Sequence, residues 1–372
     1  MNKIEKLIKE MCPSGVEYKE LGKVCDLYYG KGNNIPKDGG QYPVYGCNGV
    51  VGYTSNFNNE NTAIVGHIGS AGLVSWGSGK HYVTYNGTIC KPLDKNKVNS
   101  KYIYNILCNL HLEKKVKGSQ PFLSVSDFNK ILIPVPPIEI QNEIVKILDK
   151  FVELDAELEA ELEARKKQYD FYRGKLMNSK TNLIELSKLG KISMCKRIMK
   201  NQTSLDGDIP FYKIGTFGKK ADAFITKDLF EEYKSKFSYP KKGDILISCS
   251  GTIGRTVVFD GIDSYYQDSN IVWIENDESL VSNKYLYYFY QTFPWKISTG
   301  GTIARLYNSN IEKTKIHVPS LEEQQQIVNV LDRFDKLIND IKEGLPAEIE
   351  MRRSQYEYYR NKLLSFEELY NV

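Results

Sequence analysis

The segment from Ile133 to Leu176 is written twice in this chain, and the duplication restricts the fold to one with two equivalent halves. The first copy opens IPVPPIEIQNEIVKILDKF from Ile133 to Phe151, and the second opens IHVPSLEEQQQIVNVLDRF from Ile316 to Phe334. Val135 stands over Val318, Pro136 over Pro319, Gln141 over Gln324, Leu148 over Leu331 and Phe151 over Phe334, each 183 residues on. The copies also end alike, RKKQYDFYRGKL (Arg165 to Leu176) against RRSQYEYYRNKL (Arg352 to Leu363), here 187 residues apart. The second copy is thus four residues longer, about one turn of helix.

Each copy reads as a long helix launched from a proline-bearing strand end. Ile140, Ile144, Ile147, Phe151, Leu154, Leu158, Leu162, Arg165, Tyr169, Tyr172 and Leu176 follow in alternating steps of three and four, a seam that wants a partner helix. The second copy repeats the seam from Ile327 to Leu363 and supplies that partner. Gly344 and Pro346 should kink or restart the second helix, because proline lacks the N–H donor and its ring crowds the preceding turn. Two unrelated amphipathic helices would not share these residues.

At 372 residues the chain is long enough for two or three domains with their own cores. It has no run of eighteen apolar residues, and its opening MNKIEKLIKEM is charged throughout, so a cytosolic protein without membrane span or secretory signal is expected. Seven cysteines without a C-x-x-C pair argue against a zinc site or disulfide framework and for small core residues. The net charge of +4 is unevenly spread: the helices Ile138 to Leu176 and Leu321 to Ser365 carry −3 and −2, leaving +9 elsewhere. That excess suits a polyanion met by the globular parts.

After a short amphipathic helix (Ile4, Leu7, Ile8, Met11) and a break at Pro13 to Gly15, a first globular region runs to Leu132. Its LGKV (Leu21 to Val24) recurs as LGKI (Leu189 to Ile192), opening a second region that runs to about Lys315. Strand-like segments such as TAIVGHIG, GLVSW, DILISCSG and SNIVWIE alternate with turn residues in both. NSKYIYNIL (Asn99 to Leu107) returns as SNKYLYYFY, KGSQPFLSVSDFNKI (Lys117 to Ile131) as GGTIARLYNSNIEKT, and IGSAG (Ile68 to Gly72) as SGTIG. The framework repeats while the loops change their polar dressing, which suggests two related recognition surfaces.

Catalytic signatures are missing. His67, His81, His111 and His317 have no metal-ligand or nucleophile–base spacing. GSGK at Gly77 to Lys80 has Val74 where a phosphate loop needs glycine and His81 where it needs Ser or Thr. VPPI at Val135 to Ile138 lacks the Asp or Asn and the aromatic clamp of a methyltransferase motif.

Taken together, the helix starts Pro136 to Phe151 and Pro319 to Phe334, the QYDFYR and QYEYYR endings and GLPAEI (Gly344 to Ile349) make the chain resemble the specificity subunit of a type I restriction-modification system over essentially its whole length. The resemblance implies an α+β fold with two strand-rich recognition domains (1–132 and 181–315), separated and joined by two long helices (133–180 and 316–372) packed as an antiparallel coiled coil with pseudo-two-fold symmetry. It implies a non-catalytic reader of a split double-stranded DNA target. Two methyltransferase subunits would dock on the helices, bringing S-adenosylmethionine and adenine methylation, and motor-nuclease subunits would join them. Gln168, Tyr169, Arg173, Gln355, Tyr356 and Arg360, in the repeated endings, are the candidate partner-binding residues. An internally duplicated chain mimics a two-fold dimer and can present half-sites about one DNA turn apart, while unlike loops permit unlike half-sites.

Base readers are sought among polar side chains on exposed loops. Lys31, Asn33, Ser70, Lys117, Ser119 and Gln120 are the candidates in the first domain, and Lys219, Lys220, Thr252, Arg255, Gln267, Thr302 and Arg305 in the second. Arg305 leads because arginine grips guanine bidentately. AELEAELEA (Ala156 to Ala164) holds the tetrapeptide AELE twice, so removing one unit shortens the helix by about 6 Å while nearly keeping its face. Two other readings use the same features: a pseudo-dimeric DNA-binding regulator acting alone, and a helical scaffold that binds no nucleic acid. Dependence on methyltransferase partners for tight DNA binding separates them.

Overall fold

The computed structural model describes residues 3–32, 34–36, 39–114, 122–178, 182–297 and 304–369. The chain forms two compact units, Met1–Glu159 with Glu348–Val372, and Ala160–Ala347. Their boundaries differ from a division into consecutive domains and helices. One cut falls inside the helix Ile138–Met177 and the other inside the helix Leu345–Leu363. Each unit combines the helix start of one repeat with the helix end of the other.

The first unit is built on a six-stranded sheet in the order Cys25–Tyr29, Gly87–Pro92, Asn59–Gly66, Val74–Val83, Tyr42–Gly46, Gly49–Thr54. All pairings are antiparallel except that of Tyr42–Gly46 with Val74–Val83. The helix Ser100–Asn109, capped by the Asn99 side chain on the N–H groups of Lys101 and Tyr102, buries Tyr102, Ile103, Ile106 and Leu107 in the core. A small ladder of Tyr18–Glu20 with Leu132–Pro134 leads into the long helix, whose Ile140, Ile144 and Leu148 complete the core with Leu363 and Leu364. The chain's last described residues return to its first: Val16 donates to the Glu367 carbonyl at 2.9 Å and Leu369 to that of Val16 at 3.0 Å.

The second unit has a four-stranded sheet (Ile192–Ser193, Ile271–Ile274, Ile245–Ser248, Thr256–Val258) and a three-stranded one (Phe224–Ile225, Ile209–Tyr212, Tyr265–Tyr266). The helix Asn283–Tyr290 takes the place of Ser100–Asn109, and the ladder Asn182–Glu185 with Lys315–Val318 that of the first unit's small ladder. This ladder corrects one alignment. Leu21 donates to the Ile131 carbonyl and Leu186 to that of Thr314, so Leu21 is equivalent to Leu186 and not to Leu189. The pairs Glu20-Leu21 and Glu185-Leu186, rather than the LGK motif, carry the structural register.

The strongest repeated feature is a buried glutamine. Gln141 and Gln324 are both fully buried. Gln141 accepts from the Asn99 N–H and donates to the carbonyls of Lys97 and Pro136, at 2.9, 2.9 and 2.7 Å. Gln324 does the same with Ser282, Leu280 and Pro319, at 2.9, 2.8 and 3.0 Å. Each amide stitches three segments together: the turn before the shorter helix, the proline strand end and the long helix itself.

The helix seam closes within each unit. In the first, Phe151 stacks on Tyr359 and meets Tyr356, with centroids 5.6 and 6.3 Å apart, while Arg353 reaches back to Asp155 and Glu159. Rising numbers on one helix meet falling numbers on the other, so the pair is antiparallel. In the second, Phe334 meets Tyr172 and Tyr169 at 6.1 and 6.3 Å. The second helix breaks, as Gly344 and Pro346 predict, between Leu321–Asn339 and Leu345–Leu363. A Cβ at Gly344 would lie 2.6 Å from the Lys336 carbonyl oxygen, so the break admits no side chain there.

One repeated position is filled unequally. Arg173 donates to Gln291 Oε1 at 3.1 Å, whereas its counterpart Arg360 lies over the Tyr356 ring and leaves a buried Nε without a hydrogen bond among the described residues. Cys108, the counterpart of Gln291, offers no comparable acceptor. Cys108→Gln is therefore expected to raise stability by about 1 kcal/mol, read as a higher urea midpoint at unchanged slope.

Candidate nucleic-acid interface

Both units hold two loops together in the same way. In the first, the strand Asn59–Gly66 runs into a turn in which Gly72 donates to the Gly66 carbonyl, and Leu123 donates to that of His67 at 2.9 Å. In the second, Gly254 donates to the Ser248 carbonyl and Leu306 to that of Cys249, also at 2.9 Å. Gly72 and Gly254 have φ of 87° and 77°, the left-handed region open to glycine. A Cβ at either would run into Glu113 and Leu112, or into Trp295 and Phe293. The turn is thus imposed by backbone, and its side chains are free to differ.

In the second unit these loops gather four of the candidates. Arg255 Nη1 donates to the Phe217 carbonyl at 2.8 Å and Nη2 to Thr252 Oγ1 at 3.4 Å. Gln267 Oε1 accepts from Ile214 N–H at 2.8 Å, and Arg305 Nη2 donates to the Ser269 carbonyl at 2.8 Å. Thr252 stands exposed, while Arg255, Gln267 and Arg305 are partly exposed and braced by backbone. Lys219 and Lys220 are exposed beyond Phe217. Gln267 also lines a cleft of about 680 Å³, together with Arg197, Lys200, Lys213 and Asn270 among others. Arg197 and Lys213 pair with Asp268 and Asp222, at 2.7 and 2.8 Å. The sequence search missed these three cations; the adjacent Lys196 and Arg197 were the available signal.

In the first unit Lys31 is exposed and Ser70 partly exposed. Asn33, Lys117, Ser119, Gln120 and, in the second unit, Thr302 lie outside the described residues. The first unit's loop face is instead aromatic. His67 is fully buried, with its ring 4.2 Å from Tyr29, 5.3 Å from Tyr85 and 5.9 Å from Phe122. Burial pushes its pKa down, which favours the neutral imidazole, and Nε2 has no hydrogen-bond partner among the described residues. Ile68, Tyr85 and Phe122 are 43, 42 and 52% exposed. A search confined to polar readers passes over them.

The candidate partner-binding residues divide by helical phase. Tyr169 is buried and donates to Gln291 Oε1 at 3.4 Å; Arg173 shares that acceptor. Tyr356 and Arg360 are likewise turned into the first unit. Gln168 is partly exposed and accepts from Arg165 at 3.0 Å, and Gln355 is exposed. The large side chains that stand out are Phe171 and Tyr358, 65 and 61% exposed at equivalent positions. Tyr169 and Tyr356 lie on the seam itself, and a seam residue faces its own helix partner. Among the described residues no His, Cys, Asp and Glu grouping could hold a metal, and no helix is long and apolar enough to cross a membrane.

The repeated framework corresponds to a known family. The type I restriction modification DNA specificity domain matches twice, over residues 13–165 and 178–351. The chain belongs to this family. It is similar to a putative type I restriction enzyme specificity subunit of Haemophilus influenzae, 48% identical over 98% of both chains. The EcoR124I/EcoR124II specificity subunit of Escherichia coli is 35% identical over 73% of this chain and 72% of its own. Among solved structures, a chain of a type I restriction-modification system studied for complex assembly superposes with a TM-score of 0.64 over 95% of this chain and 98% of its own, at 15% identity. The specificity subunit of M. genitalium superposes at 0.55 over 94% and 96%, at 17% identity. The fold is thus that of type I specificity subunits, with one family domain at each repeat.

Proposed function

We propose that this specificity subunit reads a split DNA sequence, one half-site per unit, and itself performs no chemistry. The observation that carries this reading is the twice-repeated loop framework, held by the same backbone hydrogen bonds and dressed with unlike side chains. One scaffold thereby presents two different chemical surfaces. Two methyltransferase subunits supply S-adenosylmethionine and methylate adenine, motor-nuclease subunits add restriction, and the pair of long helices sets the spacer between the half-sites.

Co-expression with its neighbouring genes, followed by sequencing of the host DNA for N6-methyladenine, tests the reading. A split motif that disappears when this gene is deleted is the expected result. An unchanged methylome, with the chain purifying alone, refutes it and favours a stand-alone regulator.

Phe171 and Tyr358 would be the anchors for the two methyltransferase subunits, since exposed aromatic side chains at equivalent places offer two like partners one contact each. The double variant Phe171→Ala/Tyr358→Ala is expected to weaken assembly by on the order of 10- to 100-fold while leaving this chain folded. Sedimentation of the mixed subunits reads the loss; full assembly at wild-type concentrations contradicts it.

A further inference from the structure

We infer that the first unit reads its half-site through apolar contact with thymine methyl groups, made by Ile68, Tyr85 and Phe122, and that the second unit, with Ser250, Ser269 and Arg305 at the same three backbone positions, reads guanine by hydrogen bonds donated from Ser269 and Arg305. The inference rests on the reading above, that each unit reads one half-site.

The equivalence comes from strand register. Gly66 pairs with Gly87 in the first unit and Ser248 with Ile271 in the second. Ile68 lies two residues beyond Gly66 and Tyr85 two before Gly87; Ser250 and Ser269 lie at the same steps from Ser248 and Ile271. Phe122 and Arg305 each precede the leucine whose N–H is tied to the neighbouring loop. Three positions that share one frame are therefore all large and apolar in one unit and all polar in the other.

The two surfaces suit different base edges. In the first unit the tilted and edge-on rings around His67 hold Tyr85 and Phe122 in place, and a cluster of three exposed apolar side chains marks an interaction surface. The 5-methyl of thymine is the apolar feature of the major groove. In the second unit the Ser269 carbonyl holds Arg305 Nη2, which orients the guanidinium and leaves its remaining N–H donors to meet the O6 and N7 acceptors of guanine. Ser250 gives its one hydroxyl hydrogen to Asn270 Oδ1 at 2.8 Å, so it lines this surface without a donor to spare and the donors to guanine come from the other two positions.

The test uses the intact complex of this chain with its methyltransferase subunits and the duplex target defined by the methylome. Thymines are replaced singly by deoxyuridine, which lacks the methyl, and guanines by 7-deazaguanine, which lacks N7. In one half-site deoxyuridine is expected to weaken binding about three- to tenfold, and Phe122→Ala to abolish that sensitivity. In the other, 7-deazaguanine is expected to weaken binding about tenfold, and Arg305→Ala to abolish that. Tyr85→Ala repeats the first measurement should Phe122→Ala fail to fold. Sensitivities unchanged by these substitutions overturn the inference while leaving the functional reading intact. A wild-type complex without sequence-dependent binding overturns that reading as well.

Discussion

Gln141→Leu is expected to destabilise the first unit by on the order of 3–5 kcal/mol, and Gln324→Leu the second by a similar amount. Leucine nearly matches glutamine in volume, so little of the loss is cavity. What is lost is the partnering of three backbone groups in each unit: the Asn99 N–H with the Lys97 and Pro136 carbonyls, or the Ser282 N–H with the Leu280 and Pro319 carbonyls. Each is left beside a fully buried side chain, where an unmet donor or acceptor costs about 1–3 kcal/mol. Hydrogen exchange should localise the damage, with amides of Ser100–Asn109 losing protection in one variant and those of Asn283–Tyr290 in the other. A loss below about 1 kcal/mol would mean that water replaces the amide, and the glutamine would then not be the clasp described here.

Deleting Ala160 to Glu163 is expected to shorten the spacer of the methylated motif while leaving both half-sites unchanged. The cut removes one AELE unit from the helix Ile138–Met177, which belongs to both units, at the point where one unit ends and the other begins. It shortens that helix by about 6 Å and turns the parts by about 40°. The seam survives, because Leu158 moves into the phase of Leu162. The ion pairs of Arg353 with Asp155 and Glu159 lie outside the cut, and Glu161 and Glu163 make only local pairs with Arg165 and Lys166. Loss of methylation at the original spacing, with gain at a shorter one, is the outcome to look for in the host methylome. Retention of the original spacing would remove the helix as ruler.

The sequence by itself determined the duplication, the long helices, the break of the second at Gly344 and the family, because these follow from periodicity and from residues 183 apart. It also named Gln141 and Gln324 as equivalents without showing why a glutamine stands there. Only the tertiary structure decided how the repeats are shared, each unit closing its seam with the other copy's helix end. Periodicity marks a face that needs a partner and cannot say which helix supplies it. The same limit governs the sites. Tyr169 and Phe171 are two residues apart in one motif, yet one is buried and the other exposed, a matter of helical phase against a packed neighbour. Ile68, Tyr85 and Phe122 are far apart in the chain and apolar, and only strand register brings them together and matches them to Ser250, Ser269 and Arg305. Sequence offsets drift from 182 to 184 across these loops, so alignment by a single offset hides the correspondence that backbone pairing makes plain.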